Sequence, residues 1–276
     1  MRIDSHQHFW KAARGDYHWM SPAVPTLCSD YLPDDLRPSL EKHKIDKTIL
    51  VQAAQTVPET DFLLNLASQN NFIAGVIGWL DMDSPDFPKV LDEYIDKPKF
   101  LGLRPMLQDL KHDDWILRPR VQESLKLVTQ RDVAFELLTY TRHLPHVLKV
   151  LDAAPDLRAV IDHVSKPEIK HRKLDPWRAL MTEISKHPNL HCKLSGMITE
   201  ASHNSWTPDD LRPYVEHVLD CFGFERVMFG SDWPVCLLAG SYDQVIGALQ
   251  IILQPHLNPK REGDIFGGNA VRFYRL

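Results

Sequence analysis

The sequence contains few cysteines and no close pair of them. Its four cysteines are Cys28, Cys192, Cys221 and Cys236, spread over 276 residues without a C-x-x-C pair. Zinc ribbons and dithiol redox motifs need closely spaced cysteines, and small secreted domains need a denser disulfide framework. The cysteine spacing therefore argues against all three classes of protein.

A basic bias, a signal peptide and a long apolar run are also missing. The formal net charge is −5, so we expect neither nucleic acid nor an anionic membrane surface as a partner. The amino terminus turns polar by Asp4, unlike a secretory signal peptide. No apolar run approaches the roughly 18–20 residues that cross a bilayer. We therefore expect a soluble cytoplasmic protein, and the sequence leaves its oligomeric state open.

The composition is that of a globular protein with a full core. Hydrophobic residues make up 43 % of the chain and charged residues 25 %, which are ordinary values for this class. A length of 276 residues fits one large domain or two small ones, and barrels of the (β/α) type often reach it as one unit.

Apolar segments alternate with segments of helical periodicity along the chain. The apolar segments are short and rich in β-branched residues, as is typical of buried parallel strands. Eight strands are predicted, beginning at Arg2, Lys47, Phe72, Phe100, Val133, Arg158, Leu190 and Arg226. Because a helical segment follows each one, we predict an α/β fold, a (β/α)8 TIM-type barrel formed as a single domain by residues 1–276. The alternative fold, a doubly wound open sheet, would be expected to carry the glycine-rich phosphate-binding motif G-x-G-x-x-G after its first strand. No predicted strand is followed by this motif.

Polar residues stand at the carboxyl end of nearly every predicted strand, where barrels of this type carry their catalytic groups. Such residues cost free energy in apolar strands unless they are paired or functional. In chain order they are His6 and His8, Gln52, Trp79 and Asp81, Arg104, Glu136, His163, Lys193 and Ser195, and Asp232. A structural role is the simpler interpretation of Gln52, Trp79 and Asp81. The three histidines and Asp232 together indicate an active site.

The first strand carries R-I-D-S-H-Q-H-F-W at residues 2–10. Residues i and i+2 of a strand point to the same side of a sheet, so His6 and His8 project together. Two neutral imidazoles can hold one divalent cation, although an H-x-H pair alone fits solvated strand-end residues equally well. The aromatic-rich segment 11–37 lacks clean periodicity, and we predict a long loop folded over the site.

These motifs resemble the amidohydrolase superfamily, specifically its amidohydrolase-2 branch of sugar and muconate lactone hydrolases. The similarity spans the whole chain, and the motifs occur in the family's order. Within the branch, the chain looks most like L-fuconolactonase-like and L-rhamnonolactonase-like enzymes. Besides residues 2–10, the motifs are D-Y-H-W-M at 16–20, G-L-R-P-M at 102–106, V-I-D-H-V-S-K-P at 160–167, C-K-L-S-G at 192–196, F-G-S-D-W-P at 229–234 and G-G-N-A-V-R-F-Y at 267–274.

The resemblance implies roles for individual residues. His6 and His8 match the superfamily's metal pair, and Asp232 matches a metal ligand or the general base that takes a proton from the attacking water. His163 matches a residue that polarises the carbonyl or steers the water. Arg104 stands where binuclear members carry a carboxylated lysine, and Glu136 stands in place of a histidine.

Because of these two departures, we expect at most one divalent metal. His6, His8 and Asp232 make a reasonable open zinc site, with Glu136 as a possible fourth ligand. A metal-free site is the alternative, since some lactonases of the branch work without metal. In that case Asp232 deprotonates the water, and His6, His8 and His163 donate to the oxyanion.

The predicted reaction is the hydrolysis of a sugar-derived aldonolactone to the open-chain acid, which makes the chain a carboxylic-ester hydrolase of sugar catabolism. Arg104 and Lys193 are predicted to bind carboxylate or hydroxyl groups of a small-molecule lactone. Trp10, Trp79 and Trp233 are predicted to stack on the sugar ring. The alternatives are another lactone or a dicarboxylate as substrate, a metal-dependent decarboxylase or hydratase of the same branch, and a catalytically inactive barrel that serves as a scaffold.

Overall fold

A computed structural model describes residues 1–276 as a parallel eight-stranded barrel surrounded by helices. The strands pair in chain order, and each pairs with the next in parallel. The strands are β1 Ile3–Gln7, β2 Lys47–Val51, β3 Ile73–Gly78, β4 Phe100–Leu103, β5 Ala134–Leu137, β6 Ala159–Ile161, β7 Leu190–Leu194 and β8 Val227–Phe229. The predicted (β/α)8 barrel is therefore confirmed.

Eight helices follow the strands, and two short helices end the chain. They are α1 Pro33–His43, α2 Val57–Gln69, α3 Phe87–Ile95, α4 Pro119–Gln130, α5 Leu144–Ala153, α6 Trp177–Ile184, α7 Pro208–Phe222, α8 Tyr242–Leu253, α9 Pro259–Gly263 and α10 Asn269–Tyr274. None of these helices combines the length and apolarity that crossing a membrane requires.

The first and last strands meet where the barrel closes. Gln7 and Trp233 form an isolated parallel bridge, and the His8 amide donates to the Trp233 carbonyl at 2.7 Å. The Asp232 amide donates to the His6 carbonyl at 2.8 Å. The closure therefore places the segment after β8 directly beside the predicted histidine pair.

Helix α7 shows how the sequence specifies the outer layer. Its buried residues recur at helical spacing and include Leu211, Val215, Val218 and Phe222, which gives the helix one continuous apolar face against the barrel. The Thr207 amide donates to the Asp210 carboxylate at 2.9 Å, so a capping interaction fixes the start of the helix.

The core has two layers, because side chains on a strand alternate between the two faces of the sheet. Ile49 and Val51 point into the barrel, whereas Leu50 packs against the helices. Helix α10 adds Phe273 and Tyr274 to the interior layer. Full burial of a large apolar side chain stabilises a fold by about 1.5–3 kcal/mol, and Phe273 is buried, so the carboxyl-terminal helix helps to hold the barrel together.

Strands β6 and β8 are shorter than the predicted segments, and the polar residues at their ends lie on turns. Strand β6 ends at Ile161, before Asp162 and His163, and β8 ends at Phe229, before Asp232. The physical reason is backbone conformation: φ is 52° at His163 and 57° at Asp232. This left-handed region cannot continue a strand.

Candidate active site

His6 and His8 lie side by side at the carboxyl end of β1. Their Nε2 atoms are 3.2 Å apart, and both side chains are buried. His8 Nδ1 lies 2.8 Å from the Val51 carbonyl oxygen. Because a carbonyl only accepts hydrogen bonds, Nδ1 carries the proton of neutral His8, and the Nε2 lone pair faces the site. Burial lowers the pKa of both histidines, so both are neutral at pH 7.

Asp4 fixes the backbone on which this site is built. Its Oδ1 accepts from the His6 amide at 3.1 Å and from the Ser231 amide at 2.9 Å. Its Oδ2 accepts from the Tyr242 hydroxyl at 3.1 Å. One buried carboxyl group therefore ties the end of β1 to the segment that carries Asp232.

The Asp232 carboxylate faces all three histidines. Its Oδ1 lies 3.4 Å from His8 Nε2 and 3.8 Å from Nε2 of both His6 and His163. Burial opposes the charged form of Asp232, but its interactions with His163, His8 and Lys166 outweigh burial and lower its pKa. Asp232 is therefore a carboxylate at neutral pH, ready to accept a proton.

His163 lies on a turn of four consecutive residues with positive φ, His163 to Lys166. Its amide donates to Ser195 Oγ at 3.3 Å, and its Nδ1 lies 2.9 Å from the same oxygen. When the Ser195 hydroxyl accepts from the amide and donates to Nδ1, the histidine proton is on Nε2, facing Asp232. Burial lowers the pKa of His163 well below its usual value, so the ring is a neutral hydrogen-bond donor.

The residues at the end of β1 and after β8 have the chemistry of a single-metal site. His6, His8 and Asp232 each offer one ligand atom, all within 4.8 Å of one another. Tetrahedral zinc with bonds of ~2.0–2.1 Å has ligand atoms ~3.3 Å apart, and the distances here are 3.2, 3.4 and 3.8 Å. Two imidazole nitrogens and one carboxylate oxygen therefore fit one divalent ion and leave a position open.

A second group of possible ligands, His6, Asp162 and His163, is also close together. The Lys193 ammonium lies 3.1 Å from His6 Nδ1 and 3.1 Å from Asp162 Oδ1. Because the Lys193 ammonium already contacts His6 and Asp162, a metal ion in this second cluster would lie beside another positive charge. The second cluster is therefore poorly suited to a metal ion.

Glu136 and Lys193 lie away from the positions predicted for a fourth metal ligand and a substrate-binding residue. Lys193 is fully buried and is absent from the cavity lining, so it cannot contact a substrate there. Its Nζ lies 2.6 Å from Glu136 Oε2, and Glu136 also accepts a hydrogen bond from Tyr274. Glu136 faces His6 Nδ1 at 3.9 Å, on the side of the ring away from the other ligand atoms, and is therefore not positioned as a fourth ligand.

The polar groups open into one cavity of about 170 Å³ at the mouth of the barrel. Pockets for drug-sized ligands span roughly 300–1,000 Å³, so this space suits a single small ring. The lining residues are His8, Trp10, Trp19, Leu27, Ala53, Arg104, Met106, Gln108, Asp109, Leu138, His163, Lys166, Asp232 and Val235.

Arg104 lines the cavity, and its substrate-binding role stays a prediction. Its guanidinium donates to the Gln52 carbonyl and lies 3.4 Å from Asp162 Oδ2. Gln52 in turn donates to the Arg104 carbonyl at 2.6 Å, which agrees with the structural role given to Gln52. The Arg104 Nε atom is buried without a hydrogen-bond partner.

Of the three predicted tryptophans, only Trp10 lines the cavity. Trp79 is absent from the lining, and its backbone is held by the Thr60 hydroxyl. Trp233 is also absent, because its ring packs against Phe9 at 5.9 Å between centroids, away from the site. The stacking role predicted for Trp79 and Trp233 is therefore corrected.

The long loop after β1 covers the cavity, as the sequence analysis predicted. Trp19 packs edge-on against Trp10 with 5.1 Å between ring centroids, and its indole N–H donates to the Ala53 carbonyl at 2.7 Å. The Trp10 amide donates to the Tyr31 carbonyl at 2.9 Å, and the reverse bond is 3.0 Å. These contacts hold the aromatic loop against the barrel mouth.

Several cavity residues were missed by sequence reasoning. Lys166 and Trp19 stand inside motifs that were already noted, at 160–167 and 16–20, and membership of those motifs was the available signal. Gln108 and Asp109 follow β4 in a short 3-10 helix, where no periodic pattern marks them. Lys166 also lies 3.8 Å from Glu200, with its side chain 16 % exposed.

Comparison with known proteins finds relatives of the whole chain. A sequence model of a family described as amidohydrolase matches residues 3–276. The chain is 42 % identical over 280 residues to an L-fucono-1,5-lactonase of Burkholderia ambifaria, and the match covers 100 % of this chain and 96 % of that protein. It is 36 % identical over 290 residues to an L-fucono-1,5-lactonase of Burkholderia multivorans, with the same coverage of 100 % and 96 %.

A solved structure agrees with these sequence matches. A crystal structure of an amidohydrolase from Burkholderia multivorans with bound zinc superposes with a TM-score of 0.94 at 34 % identity. The superposition covers 100 % of this chain and 99 % of that one. Fold, motif order and full-length relatives lead to one conclusion: the chain belongs to the amidohydrolase family.

Proposed function

We propose that the protein hydrolyses a sugar-derived lactone to its open-chain acid, with L-fucono-1,5-lactone as the first candidate substrate. The observation that carries this proposal is the Asp232 carboxylate, which faces three neutral histidines at the floor of a small cavity. The two L-fucono-1,5-lactonases that match over the full chain support the choice of substrate.

Asp232 acts as the general base in the proposed mechanism. Its lowered pKa keeps it ionised, so it can take a proton as the water oxygen attacks the lactone carbonyl carbon. The bond between that carbon and the ring oxygen then breaks, and the protonated Asp232 returns the proton to the leaving ring oxygen. The products are a carboxylic acid and a free hydroxyl group, and Asp232 ends the cycle ionised.

His163 stabilises the oxygen on which negative charge develops. In this role the Ser195 hydroxyl donates to Nδ1, 2.9 Å away, and the Nε2 proton is directed at the cavity, where a fixed donor in a buried site is worth more than one in water. Because the ring is neutral, His163 donates a hydrogen bond without competing with Asp232 for the water proton.

His6, His8 and Asp232 would hold one divalent metal, and the zinc-bound Burkholderia multivorans structure makes zinc the first candidate. When bound, zinc would supply a Lewis acid that polarises the carbonyl and acidifies a coordinated water molecule. The chain's own residues supply the remaining chemistry, since Asp232 moves the proton and His163 donates to the oxygen.

The cavity walls are suited to a polyhydroxylated ring. Trp10 and Trp19 provide an apolar wall, and Arg104, Gln108 and Lys166 provide hydrogen-bond donors for ring hydroxyls. Asp109 adds an acceptor. In small-molecule sites, a few polar groups placed against an apolar lining fix the orientation of the ligand. In the cell we expect such an enzyme to act in the cytoplasm, in sugar catabolism, on a lactone formed by oxidation of a sugar.

The decarboxylase or hydratase alternative is less favoured, because the two relatives that are 42 % and 36 % identical over the full chain are both L-fucono-1,5-lactonases. A panel of 1,5- and 1,4-aldonolactones distinguishes the two. Acid release is followed with a pH indicator, and the spontaneous rate is subtracted with Asp232→Asn as a matched protein control. We expect turnover of at least one 1,5-lactone. Carbon dioxide release from aromatic acids, together with no acid release from any lactone, would overturn the proposal.

Zinc dependence is measured on the same sample. Metal analysis is followed by dialysis against a chelator, and lactone turnover is measured before dialysis, after dialysis and after zinc is restored. We expect turnover to fall on chelation and to return with zinc. Full turnover in protein with no measurable metal would leave Asp232 and His163 as the sufficient machinery.

A further inference from the structure

Lys193 is a buried cation directly beneath the candidate metal site. It lies on β7 with no solvent exposure. Its Nζ is 2.6 Å from Glu136 Oε2 and 3.1 Å from Asp162 Oδ1. Both contacts are ion pairs between oppositely charged buried groups. A lysine ammonium group has three N–H donors and no lone pair.

The hydrogen bond of this ammonium fixes where His6 carries its proton. Lys193 Nζ lies 3.1 Å from His6 Nδ1. An ammonium group can only donate, so Nδ1 of His6 must accept. A neutral imidazole with an accepting Nδ1 carries its proton on Nε2, the atom that faces the candidate metal position.

The neighbouring histidine fits the same proton arrangement. His8 Nδ1 donates to the Val51 carbonyl, so His8 Nε2 is an acceptor. It lies 3.2 Å from His6 Nε2. The hydrogen bonds therefore all point in one direction. Lys193 Nζ donates to His6 Nδ1, and His6 Nε2 donates to His8 Nε2.

We propose that Lys193 holds His6 in the Nε2–H tautomer and thereby weakens the binding of a divalent metal at His6, His8 and Asp232. To ligate through Nε2, His6 must move its proton to Nδ1, and Lys193 must give up its hydrogen bond. Asp162 Oδ1 is the nearest group able to take that Nδ1 proton. It lies 3.4 Å from His6 Nδ1 and also 3.1 Å from the Lys193 ammonium. Lys193 and Asp162 thus favour opposite tautomers of His6. The inference rests on the proposed metal-binding role of His6 and His8, but neither of its tests uses lactone turnover.

Metal affinity is the first test. The variant Lys193→Met with Glu136→Gln removes one cation and one anion together, and Glu136→Gln alone is the matched control. Zinc is titrated into metal-free protein against a chromophoric chelator. Partners of metal ligands change affinity by about 10–100-fold, so we expect the double variant to bind zinc ~10–100-fold more tightly than Glu136→Gln. Equal or weaker binding by a folded double variant would overturn the inference.

The tautomer itself is the second test, and it needs only the wild-type protein. Histidine labelled with nitrogen-15 is observed in metal-free protein by long-range nitrogen–proton correlation, and the His6 signals are assigned by their loss in His6→Gln. We expect Nε2 to be protonated and Nδ1 to be unprotonated. A purely structural role of Lys193 would not fix this pattern. A proton on Nδ1 would show that Asp162, not Lys193, sets the tautomer, whether or not the lactone assay succeeds.

Discussion

Gly196 controls the position of His163, and its replacement by alanine gives the sharpest prediction for the site. Its φ is +59°, in the left-handed region, and an added Cβ would lie 2.4 Å from His163 Nδ1 and 2.6 Å from Cγ of the same ring. Carbon atoms pack at ~3.5 Å or more. The imidazole must therefore retreat by about 1 Å, away from the Ser195 hydroxyl that orients it.

Two effects are expected to lower the unfolding free energy of Gly196→Ala. A left-handed alanine costs about 1–2 kcal/mol relative to glycine, and loss of the hydrogen bond with Ser195 adds about 0.5–1.5 kcal/mol. Gly15 is the matched control, because its φ is +76° and an added Cβ would meet nothing within 4 Å. Gly15→Ala therefore carries only the first cost.

The two variants are compared by urea unfolding followed through tryptophan fluorescence, and by kcat on the best lactone of the panel. We expect Gly15→Ala to lose about 1–2 kcal/mol of unfolding free energy and to keep its kcat. Gly196→Ala should be less stable still and should lose about 100-fold in kcat, since a 1 Å misplacement near the chemistry has this effect. Equal kcat values for the two variants would refute the positioning of His163 by Gly196.

Three further predictions concern the base, the cavity wall and a buried acid. Asp232→Asn should lower kcat by about 10²–10⁴-fold, the contribution of a general base, in steady-state assays; an unchanged kcat would exclude Asp232 as the base. Lys166→Met should raise KM by about tenfold, the effect of one lost interaction of ~1.4 kcal/mol, whereas the exposed Lys170→Met should not; equal KM values would remove Lys166 from the binding wall. Burial raises the pKa of Glu59 to about 8, above about 4.3 in the unfolded chain. Its contribution to stability is full below the unfolded pKa and is lost as the pH rises through about 8. Urea unfolding of Glu59→Gln should therefore show a smaller loss of stability between about pH 5 and pH 8 than the wild type, and parallel curves would contradict the shift.

The sequence was sufficient to predict the architecture, because architecture depends on patterns that repeat. Apolar segments such as Lys47–Val51 recur eight times with a helix after each, and barrel closure follows from their number. The same logic located His6, His8, His163 and Asp232 near one another, since strand ends of a barrel meet at one face. These predictions used chain position and, for His6 and His8, the regular alternation of side chains within a strand.

Orientation is what the sequence could not provide. Trp79 and Trp233 follow the ends of strands, as Trp10 does, yet only Trp10 of the three lines the cavity. The residue after a strand's last hydrogen bond no longer follows the alternation of faces, so its direction depends on the following turn. Lys193 was misjudged for a related reason. Its position on a strand was predicted, but its partners are Glu136 on β5 and Asp162 on the turn after β6, and only the folded barrel brings the three together.

Half of the ten non-glycine residues with positive φ lie where the reacting groups meet. A strand residue points either into the barrel or toward the helices, and neither direction serves a group that must face the open mouth. The turn of positive φ from His163 to Lys166 redirects two side chains into the cavity, at a cost of about 1–2 kcal/mol for each residue. The turn is held by hydrogen bonds that offset this cost: the Trp177 indole donates to the Val164 carbonyl at 2.6 Å, and Ser165 Oγ lies 2.9 Å from Thr139 Oγ1. Strain that persists under such restraint points to function. The same reasoning applies to Asp232, an isolated residue with positive φ, whose amide donates a hydrogen bond to the His6 carbonyl.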